Sequence, residues 1–145
     1  MIQMLEIEGI EIACRVNDGG GVRGRKNLLF VHGSGGDHTV WDGQFDALQK
    51  ECNVAALDLP GHGSSGGEAE EDVYRYMEWV RKTVESLSLE SPVVVGHSLG
   101  AAITLALALE YPDLISGIVV VGGGARMPVA QMVFDVIRDN FSGIR

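Results

Sequence analysis

Basic residues are scarce in this chain: 11 Lys and Arg stand against 20 Asp and Glu, a formal charge of −9 over 145 residues. Phosphate groups are held by Lys and Arg, so this balance argues against nucleic acid and anionic membranes as partners. Cysteine is nearly absent. Cys14 and Cys52 are the only two, and they lack the spacing of a metal site. Each falls in a run read as a strand, where a buried free thiol is expected, and a disulfide between them stays open. No metal and no organic cofactor are expected. The first residues alternate and carry Glu6 and Glu8 early, so neither a signal nor a transit peptide is expected in them. A cytoplasmic location is the resulting expectation. Long charge-free runs are missing except at residues 93–109, which approach the length of a membrane span. Gly96 and Gly100 break that run around a polar His-Ser pair. Its Val-rich half has strand composition and AAITLALAL has helix composition, so a buried strand-turn-helix is expected instead.

What is present is apolar and rich in turns. Hydrophobic residues make up 46% of the chain and glycines number 20, many of them beside apolar runs. That pattern suits tight turns at strand ends in one folded domain. QMLEIEG and IEIACRVN alternate and read as an antiparallel hairpin turning near Gly9. LLFVHG, CNVAALDLPG, VVVG and ISGIVVVGGG are short apolar strands ended by glycine turns, as in a buried parallel sheet. Between them lie helical patterns. Trp41, Phe45 and Leu48 share one face, with Asp37 or Thr39 as cap. Val73, Met77, Val80, Val84 and Leu87 share another, behind an acidic start at Glu70, Glu71 and Asp72. A third helix runs from Leu99 to about Glu110 and stops at Tyr111-Pro112. A last helical stretch is expected from Pro128 to Asn140. Strict alternation after the hairpin predicts an α/β fold: a mostly parallel sheet with an N-terminal antiparallel hairpin and helices on both faces.

In such a sheet, ligands gather at the carboxyl ends of the strands. Gly96-His97-Ser98-Leu99-Gly100 falls at such an end, with the G-x-S-x-G pattern of a nucleophile elbow. The turn is sharp enough to strain the serine, and side chains two places either side would collide. Glycine at 96 and 100 removes them. The helix behind Ser98 aims its positive end and the Leu99 N–H where negative charge would develop. The plain alternative is a chance pattern in which Ser98 caps that helix. A second turn, His32-Gly33-Ser34-Gly35-Gly36, lets backbone approach a ligand, with the Ser34 N–H as a second oxyanion donor. Gly33 and Gly35 supply the room. No phosphate-loop Gly-Lys-Ser/Thr and no G-x-G-x-x-G are present.

Three motifs, each after a strand, carry a resemblance. They are His32-Gly33-Ser34-Gly35, Asp58-Leu59-Pro60-Gly61-His62-Gly63-Ser64 and Gly96-His97-Ser98-Leu99-Gly100. The chain resembles the N-terminal portion of an α/β-hydrolase-fold protein of the serine esterase and lipase-like branch. The resemblance implies an incomplete α/β-hydrolase core over residues 1–125 and the start of a cap over 126–145. It implies Ser98 as nucleophile, with Leu99 and Ser34 giving the oxyanion N–H groups. It implies a small ester or thioester substrate cleaved through an acyl-enzyme. A Ser at 98 disfavours the branches that use Asp there.

The resemblance also implies an order: Ser, then Asp or Glu, then His. Here His32, His38, His62 and His97 all precede Ser98, and none follows. His32 and His62 are expected to pack in motif turns, His97 to point away from its neighbour, and His38 to occupy an exposed loop. Asp113, Asp135 and Asp139 follow Ser98, yet none stands directly after a strand end. Three readings stay open: a piece of a larger hydrolase, favoured here; a short product that takes its base from another chain; and a non-catalytic binding or interaction module. With the family's strand order, the strand around Ile118–Val121 becomes an apolar edge. It is expected to pair with a complementary fragment or to self-associate.

Overall fold

The computed structural model describes residues 1–123. The helix expected at 128–140 and the cap segment at 126–145 lie outside the described residues. Within them, the expected alternation is present. Strands β1 (Ile2–Ile7) and β2 (Ile10–Val16) form the hairpin, with Glu8 and Gly9 at positive φ in its turn. β3 (Asn27–Val31), β4 (Asn53–Leu57), β5 (Val93–His97) and β6 (Gly117–Val121) follow. The helices are α1 (Asp42–Leu48), α2 (Val73–Ser86) and α3 (Leu99–Glu110).

The six strands make one sheet in the order β1-β2-β4-β3-β5-β6. β1 and β2 are antiparallel to each other, and β2 is antiparallel to β4. The other pairings are parallel. The register sets Val31 beside Leu57 on one side and Gly96 on the other. Three strands therefore end level, and His32, Asp58 and Ser98 emerge from one rim of the sheet. β6 is an edge among the described residues, as expected, and its Val119 and Val121 are exposed.

Each apolar strand covers two cores because its side chains alternate faces. Leu29, Val31, Ala55, Leu57 and Val94 pack on one side against Met77, Val80, Val84, Ile103 and Leu107 of α2 and α3. Phe30, Val54, Ala56 and Val95 pack on the other against Trp41 and Phe45. The helices thus lie on both faces. In α2 the Asp72 carboxylate caps the Tyr74 N–H at 2.8 Å, and Tyr76 and Thr83 join the buried face that the spacing assigned to Met77, Val80 and Val84.

Three local expectations need correction. The helix read through Trp41 and Leu48 is split: His38–Trp41 is a 3-10 turn, capped by Asp37, and α1 begins only at Asp42. Trp41 still reaches the core, its ring centroid 4.8 Å from that of Phe30. Cys52 lies just before β4 and is half-buried, whereas Cys14 is buried within β2; both thiols are free. His38 does not occupy an exposed loop, because its ring pairs with a buried carboxylate. No helix among the described residues is long and apolar enough to cross a membrane.

Candidate active site

β5 leads into α3 through Ser98 alone. Ser98 has φ 55 and ψ −113, a backbone conformation that a side chain adopts only at a cost of about 1–3 kcal/mol. The surroundings hold it there. Its N–H donates to the Val121 carbonyl at 3.1 Å, and its carbonyl accepts from Ala101 and Ala102 at 2.9 and 3.2 Å. The turn is closed from below by glycines. A Cβ on Gly96 would lie 2.1 Å from the Gly100 carbonyl oxygen and 2.4 Å from Thr104 Oγ1. A Cβ on Gly100 would lie 2.2 Å from the Val31 carbonyl oxygen and 2.7 Å from that of His32. The expected collisions are therefore real, and they are with backbone that cannot rotate aside.

The Ser98 hydroxyl makes no capping hydrogen bond to α3. The plain reading, in which this serine caps the helix, is not what the structure contains. A cap would need extended backbone and a side chain turned toward the N–H groups of the first turn.

The second turn meets the first. Gly33 is buried against the elbow: a Cβ there would lie 3.2 Å from Ser98 Cβ and 3.3 Å from the His97 carbonyl oxygen. Ser34 and Gly35 are exposed beside it, Gly35 at φ +75, and the Gly36 N–H closes the turn on the Gly33 carbonyl at 3.1 Å. The Ser34 N–H has no hydrogen-bond partner among the described residues. Leu99 is the first residue of α3, so its N–H has no intrahelical acceptor. Among the described residues neither the Ser34 nor the Leu99 N–H has a hydrogen-bond partner, and their two turns meet where Gly33 approaches Ser98.

The histidines divide into distinct roles. His32 is fully buried. Its Nδ1 donates to the Gly33 carbonyl at 2.7 Å and its Nε2 accepts the Leu59 N–H at 3.0 Å, which fixes one neutral tautomer. Burial pushes its imidazole below the ordinary histidine range. His62 donates through Nδ1 to the Pro60 carbonyl at 3.0 Å, and its ring centroid lies 5.1 Å from that of His32. Both fit the packing roles expected of them. His97 is exposed, with its ring over Gly122. None of the four hydrogen-bonds the Ser98 hydroxyl among the described residues. Asp113 lies exposed in the loop before β6, far from the elbow rim, and Asp135 and Asp139 are outside the described residues.

One pair escaped the sequence reading. Asp58 is fully buried, and its Oδ1 accepts both the backbone N–H of His38 at 2.7 Å and His38 Nδ1 at 2.8 Å. Its Oδ2 accepts the Ser64 N–H at 2.9 Å. Asp37, His38 and Asp58 offer ligand atoms within 4.8 Å of one another. Those atoms are already committed: Asp37 holds the Thr39 N–H and hydroxyl, and Asp58 holds its three donors. The cluster reads as an internal hydrogen-bond network.

A family model for the alpha/beta hydrolase fold matches residues 26–142. The chain belongs to the alpha/beta hydrolase fold family. Among solved structures, it is similar to a thermophilic esterase with a TM-score of 0.82 and 28% identity, over 99% of this chain and 52% of that one. A Pseudomonas aeruginosa hydrolase matches with a TM-score of 0.83 and 25% identity, over 97% of this chain and 52% of that one. Among curated proteins, (E)-2-((N-methylformamido)methylene)succinate hydrolase of Acinetobacter baylyi is 31% identical over 97 residues, 66% of this chain and 37% of that protein. The chain spans well under half the length of the first curated relatives it matches and about half of these solved hydrolases. The family and the mixed six-stranded sheet are therefore established together.

Proposed function

We propose that this chain carries the nucleophile of a serine hydrolase that cleaves small esters or thioesters through an acyl-enzyme on Ser98. The observation that carries the reading is the strained, uncapped Ser98 between Gly96 and Gly100, with the Ser34 and Leu99 N–H groups free beside it. Attack of Ser98 Oγ on the carbonyl carbon forms a C–O bond and moves the carbonyl electron pair onto oxygen. The two N–H groups and the start of α3 stabilise that oxyanion. Collapse expels the alcohol or thiol, which takes up the proton that the hydroxyl gave to a general base. Water then repeats the attack and releases the acid. The similarity to a thermophilic esterase supports ester chemistry.

The base is an imidazole supplied from outside these residues, since His32, His38 and His62 are committed elsewhere and His97 makes no hydrogen bond to the Ser98 hydroxyl among the described residues. β6 is a sheet edge among the described residues, and that edge is where a complementary segment carrying that imidazole would add. GIVVV has no charge or proline to discourage pairing. Two free thiols support a reducing, cytoplasmic setting. The absence of an imidazole at Ser98 among the described residues favours one other reading, a binding or interaction module on a disarmed scaffold.

Incubation with p-nitrophenyl acetate separates the two. The hydrolase reading expects one acetyl group on the Ser98 peptide, absent in Ser98→Ala, with turnover that rises when a complementary segment bearing a histidine is added. No acetyl group at Ser98 under any condition would favour the binding module.

A further inference from the structure

The Gly33–Asp37 turn is held at both ends by histidines, and both reach the loop after β4. At the near end, His32 Nε2 accepts the Leu59 N–H at 3.0 Å. At the far end, His38 gives Asp58 Oδ1 two hydrogen bonds, from its backbone N–H at 2.7 Å and from Nδ1 at 2.8 Å. Asp58 cannot drift. It is fully buried, its Oδ2 holds the Ser64 N–H, and a Cβ on Gly63 would lie 2.3 Å from that oxygen. Between the anchors the sequence is Gly33-Ser34-Gly35-Gly36-Asp37, with three glycines that have no side chains to pack. Such a segment has the widest conformational freedom a chain offers, so its anchors decide where the Ser34 N–H points.

We infer that the His38–Asp58 pair is a positioning device that holds the Ser34 N–H against Ser98. This rests on the reading of Ser98 as nucleophile. His38 acts through the turn and touches no reacting atom. Its Nδ1 donates to the carboxylate in the Nδ1–H tautomer, beside the backbone N–H that reaches the same oxygen. An ionised carboxylate needs such donors when it is taken from water. The pair therefore gives Asp58 a reason to be buried and the turn a reason to be fixed.

Three variants test this on the full chain. In His38→Asn, Nδ2 replaces Nδ1 at the same distance from the backbone. His38→Leu keeps bulk and removes the donor, and His38→Ala is the second donor-free variant in case Leu does not fold. Saturable labelling of Ser98 by a fluorophosphonate gives a rate at saturation and a half-saturating concentration. Removing one oxyanion donor costs about a hundredfold or more, so a displaced donor should slow labelling at saturation at least about tenfold. Half-saturation should move less than about twofold, and Asn should restore the rate. A purely structural role would lower the unfolding midpoint and leave the saturated rate of the folded protein alone. Amide hydrogen exchange at Gly36 and at position 38 is the parallel reading, independent of Ser98 chemistry. It should rise in Leu and Ala and return in Asn. A wild type left unlabelled even with the complementary segment present would sink the nucleophile reading, and exchange alone would then judge the clamp. Folded donor-free variants with wild-type labelling and wild-type Gly36 exchange would overturn it.

Discussion

Replacing Gly100 by Ala should cost far more than a methyl group in a helix ordinarily does. Alanine is the better helix former by about 1 kcal/mol, so propensity alone predicts stabilisation. The site predicts the reverse. The new methyl would lie 2.2 Å from the Val31 carbonyl oxygen, about 1 Å inside contact distance, and that oxygen belongs to a central strand. Relief requires α3 to move off the sheet. A gap of about 1 Å forfeits a quarter to a half of the dispersion attraction across it. The fully buried Ile103 and Leu107 of α3 lie across that gap, each contributing about 2–3 kcal/mol by burial. With the strain of overpacking added, the loss is about 3 kcal/mol. For a chain of this size that lowers the melting temperature by about 10 °C. Gly43 in α1 is the control: a Cβ there meets nothing within 4 Å, so Gly43→Ala should raise stability by about 0.5–1 kcal/mol. Thermal unfolding followed by circular dichroism at 222 nm reads both. A Gly100→Ala protein as stable as wild type would refute the claim that this glycine is required by the approach of β3.

Other perturbations follow from the same structure. Burial pushes the Cys14 thiol up to about 12, so at pH 8 a disulfide reagent should modify Cys52 alone in the native chain and both thiols in urea; two fast thiols without denaturant would contradict that placement. Burial lowers the His32 pKa below its unfolded value of about 6.5, so the folded state binds fewer protons there. The stability this gives is complete above that value and is lost as pH falls toward the folded pKa. Urea midpoints should therefore drop between pH 7.5 and 5, less so in His32→Gln, whose side-chain oxygen still accepts from Leu59. The β6 edge should drive association at about 10 µM and above in sedimentation, and Val119→Lys should weaken it. A wild-type monomer throughout that range would count against the edge as a pairing site.

Much of the fold can be read in the residues because its periods are short. The hairpin alternates, the parallel strands are unbroken apolar runs, and α2 repeats its apolar positions every three or four residues. The elbow is legible for a stronger reason: a turn this tight between strand and helix requires glycine at 96 and 100, and both are there. The His38–Asp58 pair is not legible. It joins residues twenty apart, through an irregular turn with no period, and its meaning depends on the burial of Asp58. The break between the 3-10 turn and α1 is hidden likewise, because Trp41 and Phe45 stay on one core whether or not the helix is continuous. Cys52 shows the limit at strand ends, where an apolar neighbour decides composition but the ladder starts one residue later. No histidine follows Ser98 in the sequence, and among the described residues none hydrogen-bonds its hydroxyl, so neither source names a base for it.

The most direct test of the central claim is the intact mass of the purified chain after exposure to a fluorophosphonate. The account predicts a single added phosphonyl group, mapped to Ser98, absent in Ser98→Ala, and gained faster when a complementary segment is present. A chain left unlabelled, alone and with that segment, would contradict the claim that the elbow presents a working nucleophile.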